Sequence, residues 1–270
     1  MIARLLLIPL LLFLSAFPAR TQDAFDTPIT GEILAGWQRP DGTRMAAIRL
    51  TLASGWKTYW RAPGDGGIPP EFDWSKSVNL RGTQLHWPTP TIFQQAGMQS
   101  YGYEGELILP ITLIPRRSGR AMNIEVSIDM GVCREICIPH QMELSAIIDD
   151  ANMTPNANIA AALAARPYSA QEAGVGATQC QLRPNGSGLE IEVRVNLPST
   201  GGKEVVVLEP GQNGLWVGQM TSSRSGKTLV ATGDLVSEQG GSIFLDRSAV
   251  TITVLGQRRT VEIVGCTAAD

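Results

Sequence analysis

From Asn123 to Met130 the sequence alternates without a break. Ile124, Val126, Ile128 and Met130 are apolar, and Asn123, Glu125, Ser127 and Asp129 between them are polar. A period of two is the pattern of an extended strand with one buried face. It runs straight into Cys133, and Met142, Leu144, Ala146 and Ile148 resume it after Pro139. The segment Gly131-Val132-Cys133-Arg134-Glu135-Ile136-Cys137-Ile138-Pro139 therefore reads as a hairpin-like turn carrying two cysteines between two strands. Ile48, Leu50 and Leu52, then Leu107, Leu109, Ile111 and Leu113, show the same alternation. Further strands are expected at residues 189–195, 204–208, 228–231, 242–245, 250–255 and 260–264. Short strands at this spacing, separated by turns from 28 glycines and 17 prolines, favour an all-β chain.

One run departs from this pattern. Thr154-Pro155 followed by Ala-rich sequence up to Arg166-Pro167 carries a helix start and a helix stop. Thr154 suits the N-cap, Pro155 the first helical position, and Pro167 the end. It is expected to be an inter-domain helix within a linker at 151–170, between a first β-rich domain at 25–150 and a second at 171–270.

The first 20 residues read as an export signal, with Arg4 ahead of an apolar Leu5 to Leu14 run and small residues Ser15, Ala16 and Ala19 after it. The run is too short to span a bilayer, so the mature chain is expected to be soluble and extracytoplasmic. Charged residues make up only 17% and net charge is −3, which excludes the basic field that nucleic-acid binding requires.

Exported chains keep disulfides, and the four cysteines divide unequally. Cys180 precedes the first clear strand of the second half and Cys266 follows its last, which predicts a structural disulfide between them. In the chain-entropy model such a loop contributes about 4.6 kcal/mol, against about 2 kcal/mol for the short Cys133/Cys137 ring. The difference corresponds to about 50 mV of reduction potential. One pair reads as a staple and the other as exchangeable. His140 and Arg134 are cationic candidates for tuning a thiolate, opposed by Glu135 and Asp129.

Other readings of these residues stand beside that one. The short ring could be a structural turn. Met130, Cys133, Cys137, His140 and Met142 form a soft-ligand cluster of the kind that suits Cu(I), although both methionines fall on the apolar phase of their strands. Residues 55–70 are dense in aromatics, glycine and proline. They read either as a rigid loop pinning the sandwich or as a carbohydrate-binding surface, the latter fitting a purely structural binding protein.

The runs Gly55 to Pro70, Trp87-Pro88-Thr89-Pro90, Tyr101-Gly102-Tyr103-Glu104-Gly105, Leu109-Pro110-Ile111 and Cys133 to Pro139 resemble the periplasmic N-terminal region of the DsbD reductases, most closely the ScsB branch associated with copper tolerance. The resemblance is strong over residues 28–150. It implies an immunoglobulin-like fold for the first domain, and with the short strands of the second half and the helical run between them the chain is expected to be all-β, two immunoglobulin-like β-sandwich domains joined by a short helical linker. It also implies a periplasmic protein-disulfide reductase-type electron carrier in which Cys133 and Cys137 are the redox-active pair and no metal or organic cofactor is needed. The family's aromatic cap over the disulfide implies a shield within Thr91 to Tyr103, with Phe93, Tyr101 and Tyr103 as its members. The cysteines lie closer together here than in DsbD itself. The family's membrane and thioredoxin-like domains are absent from this sequence. The expected donor is therefore a separate membrane thiol transporter of the CcdA/DsbD type, and the expected acceptors are periplasmic thioredoxin-like or disulfide isomerase proteins.

Overall fold

A computed structural model describes residues 27–95, 97–149, 153–186, 188–237, 240 and 243–269. The export signal expected at residues 1–20 lies outside the described residues. In chain order the first half contains β1 (Ile29–Gln38), β2 (Arg44–Leu52), β3 (Lys57–Gly64), β4 (Glu71–Asp73), β5 (Leu80–Leu85), β6 (Thr91–Gln95), β7 (Met98–Glu104), β8 (Glu106–Pro115), β9 (Met122–Cys133) and β10 (Cys137–Ile148). After them come α1 (Ala157–Ala164), β11 (Tyr168–Ser169) and α2 (Ala170–Ala173). The second half contains β12 (Thr178–Asn185), β13 (Gly188–Asn196), β14 (Val205–Glu209), β15 (Leu215–Val217), β16 (Thr221–Ser225), β17 (Thr228–Ser237), β18 (Thr251–Leu255), β19 (Thr260–Val264) and β20 (Thr267–Ala268).

Among the described residues the first-half strands form two sheets, ordered β1-β2-β8-β5 and β10-β9-β3-β7-β6, with β4 also on β9. The second half forms β11-β19-β18-β14 and β15-β17-β13-β12-β20, with β16 also on β17. The chain is all-β, built of immunoglobulin-like sandwiches. Alternation explains the packing. Met122, Ile124, Val126, Ile128 and Met130 of β9 are buried, and they meet Ile48, Leu50, Leu109 and Ile111 of the facing sheet around the fully buried Trp60. A second core gathers Ile191, Val193, Val206, Ile252, Val254 and Val261.

The continuous apolar run of β14 has its own cause. Val206 and Leu208 enter the second core, whereas Val205 and Val207 pack with the first. A strand buried on both faces reads as an unbroken apolar run. The seam between the halves is also ionic. The Arg61 guanidinium, 4.5 Å from the centre of the Trp60 ring, donates to both carboxylate oxygens of Glu209 at 2.9 Å and to Glu262 at 2.6 Å.

Several local expectations change. The N-cap of α1 is Asn156 rather than Thr154, because its side-chain oxygen accepts from the backbone N–H groups of Asn158 and Ile159. This helix packs Ile159 against Met45 and Ala47, on the outer face of the first sheet. The short helix α2 is closed by a capping box between Ser169 and Glu172 that the sequence reading did not include. Of the strand expected at 242–245, residues 243–245 are irregular and Ser242 lies outside the described residues. Residues 57–64, read as loop, form a strand whose pairing with β7 is interrupted between Tyr59 and Gly64, and that irregularity hides the period-two signal. The segment from Thr91 to Tyr103, read as a capping loop, contains β6 and β7, paired antiparallel.

Two outcomes follow from the ionic contacts. Arg61→Ala leaves Glu209 and Glu262 half-buried without their cation, and should lower stability by about 2 kcal/mol, measured as a lower denaturation midpoint. Glu172, held by Arg166 and by Ser169, has its carboxyl pulled down from 4.5 to about 2. A carboxylate with a depressed native pKa contributes stability above its unfolded pKa and loses it as pH falls. The contribution of this box should therefore persist above pH 4.5 and vanish as pH falls through about 2, and an NMR titration of the Glu172 side chain should show that low midpoint.

Candidate functional site: a disulfide at a hairpin tip

Strands β9 and β10 pair antiparallel in unbroken register, from Met122 opposite Ile148 to Cys133 opposite Cys137. The alternation of both strands fixes this register, because a slip of one residue would turn every apolar side chain to solvent. Three residues, Arg134 to Ile136, close the turn. Direct opposition brings the two Cα atoms to 4.1 Å, and the sulfurs are bonded as a disulfide. β10 begins at Cys137 itself and includes Pro139. Proline is tolerated there because β10 is the outermost strand of its sheet.

The two sulfurs differ in access. Cys133 is 2% exposed, whereas Cys137 is exposed, beside an Ile136 that is 71% exposed at the tip. Exchange requires a thiolate to reach a disulfide sulfur, and Cys137 offers that approach.

The side chain that meets the sulfurs is Tyr59. Its phenol oxygen lies 2.8 Å from Cys133 Sγ and 3.1 Å from Cys137 Sγ, so a single O–H donates toward both. Tyr59 is 4% exposed, and burial raises its pKa, keeping the phenol protonated as a donor. β3 places it there by pairing Lys57 with Cys133 and Thr58 with Val132. Thr58 Oγ1 also donates to the Gly131 carbonyl at 3.0 Å. Gly131 has a steric reason to lack a side chain: a Cβ would come within 2.7 Å of Ile68 Cβ and 3.1 Å of the Tyr59 ring. At Gly67 a Cβ would come within 2.7 Å of the same ring. The Gly66-Gly67 stretch thus lies against Tyr59, and Tyr59 lies against the disulfide.

The remaining sequence candidates are distributed as follows. Tyr101 and Tyr103 are core residues. Tyr101 accepts from Gln99 and packs edge-on to Trp60, and Tyr103 donates to the Pro88 carbonyl at 2.7 Å and stacks on Trp87. Burial drives both phenol pKa values upward. Phe93 is half-buried with the Lys57 ammonium 4.7 Å from its ring centre, and Lys57 is the cross-strand neighbour of Cys133. Arg134 is exposed and its guanidinium sits 5.3 Å from the Trp56 ring centre. His140 stands opposite Met130 and lines a shallow cleft of about 360 Å³ with Ile68, Glu71 and Asp129. Met130 is buried in the core, and Met142 packs against it from the neighbouring strand. Among the described residues, no three His, Cys, Asp or Glu side chains are grouped to hold a metal ion. Cys180 and Cys266 are bonded in the second half, with Cα atoms 5.7 Å apart and Cys180 fully buried.

Tyr59 was missed as a site residue. Its sequence signal is the aromatic cluster Trp56, Tyr59 and Trp60 amid glycines and prolines, a composition that loops share.

Residues 30–148 match the family described as thiol:disulfide interchange protein DsbD, N-terminal. This span of the chain is therefore similar to the DsbD N-terminal domain. The fold likeness extends over both halves. The crystal structure of the N-terminal periplasmic domain of ScsB from Proteus mirabilis is similar with a TM-score of 0.66 and 22% identity, over 90% of this chain and 92% of that one. No curated protein matches the sequence.

A phenol that donates to a thiolate stabilises the reduced pair. Tyr59→Phe should therefore raise the thiolate pKa and make the disulfide harder to reduce, by about 30 mV for a lost charge-assisted hydrogen bond. Equilibration with glutathione measures the shift.

Proposed function

We propose that this protein is a periplasmic thiol–disulfide exchange carrier, passing two electrons at a time through Cys133 and Cys137. The observation that carries the reading is the asymmetric disulfide at the hairpin tip, with Cys137 open to a partner and Cys133 buried beneath the Tyr59 phenol. The match of residues 30–148 to the DsbD N-terminal family supports it.

In the reduced protein the Cys137 thiolate attacks one sulfur of a partner disulfide and expels the partner's other sulfur as a thiolate. The Cys133 thiolate then attacks Cys137 Sγ, closing the ring and releasing the partner's second thiolate. The partner gains two electrons and the carrier is left oxidised. Tyr59 donates to whichever of its two sulfurs bears the charge. A membrane thiol transporter of the CcdA/DsbD type returns the electrons, and periplasmic thioredoxin-like or disulfide isomerase proteins accept them. Phe93 with Lys57 forms the outer shield on the Cys133 side, Arg134 adds positive charge at the turn, and His140 follows Cys137 by three residues on β10. Cys180–Cys266 is a structural staple, and the chain divides into a redox unit at 25–150 and a second unit at 171–270.

Single-cysteine variants test this. Cys133→Ser retains the exposed thiol and should trap a partner as a mixed disulfide on a non-reducing gel. Cys137→Ser, with only the buried thiol, should trap at least tenfold less. Both should abolish net transfer while leaving the circular dichroism spectrum unchanged. Transfer that survives in the double variant, or a Cys133–Cys137 bond as resistant to glutathione as Cys180–Cys266, overturns the proposal.

A further inference from the structure

A cleft of about 450 Å³ opens between the two halves, a volume in the range of ligand sites. One wall is the segment whose Gly66-Gly67 stretch lies against Tyr59, through Gly64, Asp65, Gly67 and Pro69. The other wall is β15 and the turn after it, Leu215 to Met220. Gly67 belongs to both environments, lining the cleft on one side and lying against the Tyr59 ring on the other. The cleft and the disulfide are thus separated by little more than one residue of backbone and one aromatic ring.

The chemistry of the cleft narrows its occupant. The cation within it, Arg61, is already held by Glu209 and Glu262, and the lining also carries the exposed Asp65 carboxylate, so a ligand carboxylate is disfavoured there. The apolar lining includes Pro63, Val207, Val217 and Met220, with Trp216 46% exposed at the rim. β15 is the terminal strand of its sheet and pairs with β17 alone among the described strands, Trp216 opposite Val236. A short terminal strand presents backbone donors and acceptors on its outer side, and an extended peptide satisfies them by adding a strand. Tryptophan is among the side chains enriched as anchors of protein contacts.

We propose that this cleft receives an extended, apolar segment of the partner protein free of acidic side chains, paired with β15 and anchored on Trp216, while Cys137 engages the partner's disulfide. The inference rests on the exchange function proposed above, and it assigns the second half a role as part of the docking site.

The test uses isotope-labelled, oxidised wild-type protein and an acetylated, amidated peptide of alternating valine and threonine. NMR shift changes are expected at Leu215 to Val217 and at Gly64 to Gly67. Trp216→Ala, whose side chain is half outside the fold, should weaken binding about tenfold or more. The same peptide with proline in place of valine, unable to complete the strand pairing, should not bind. No shift changes, changes confined to another surface, or undiminished binding to Trp216→Ala would overturn the proposal. A cysteine-bearing version of the peptide and glutathione then serve as reducing thiols for Cys133–Cys137. The peptide should react faster than glutathione in the wild type and at the same rate in Trp216→Ala. Equal rates in the wild type overturn the docking role. If neither thiol reduces the bond while the shift changes remain, the exchange function fails and the peptide cleft stands.

Discussion

The antiparallel register of β9 and β10 is the constraint on which the rest of the site depends. Twelve consecutive residue pairs hold without a shift, and their apolar members anchor the hairpin in the first core. Cys133 and Cys137 are consequently brought opposite each other by the core rather than by their own bond. This agrees with the weak stabilisation that so short a ring supplies. Opening the disulfide leaves the scaffold that aligned it intact, so ring closure is a local event and does not require refolding.

Burial then divides the two sulfurs. The strand carrying Cys133 is covered by β3 on one side and by β10 on the other, while the strand carrying Cys137 has no neighbour beyond it among the described strands. Tyr59 reaches both sulfurs because β3 joins β9 at the cysteine end of the sheet. Glycines at positions 67 and 131 allow the approach. A side chain at either position would occupy the space of the Tyr59 ring.

The hairpin was legible in the sequence because its strands are half-buried, and half-burial imprints a period of two. The Cys180–Cys266 pairing was legible from position, at the two ends of the second half. Residues that face two cores, or that sit at irregular pairing, were harder to read. β14 shows a plain apolar run because both faces are covered, and β3 loses its alternation at an irregular stretch and so resembled a loop. Tyr59 fell in that stretch. Tyr101 and Tyr103 are singled out only through the family's aromatic cap. Alternation places both on one face of β7, and it does not say whether that face meets the core or the disulfide.

Pro139 has a consequence for how other chains approach. A Cα separation of 4.1 Å marks Cys133–Cys137 as a close, non-hydrogen-bonded pair, so the backbone groups of Cys137, and of Pro139 two residues on, point away from β9. At Pro139 that outward position has no N–H to offer. A foreign strand laid along β10 beside the open sulfur meets a missing donor there, which guards an otherwise sticky edge against polymerisation. The exposed Cys137 sulfur is thereby left to encounters that come at the hairpin tip rather than along the edge of β10.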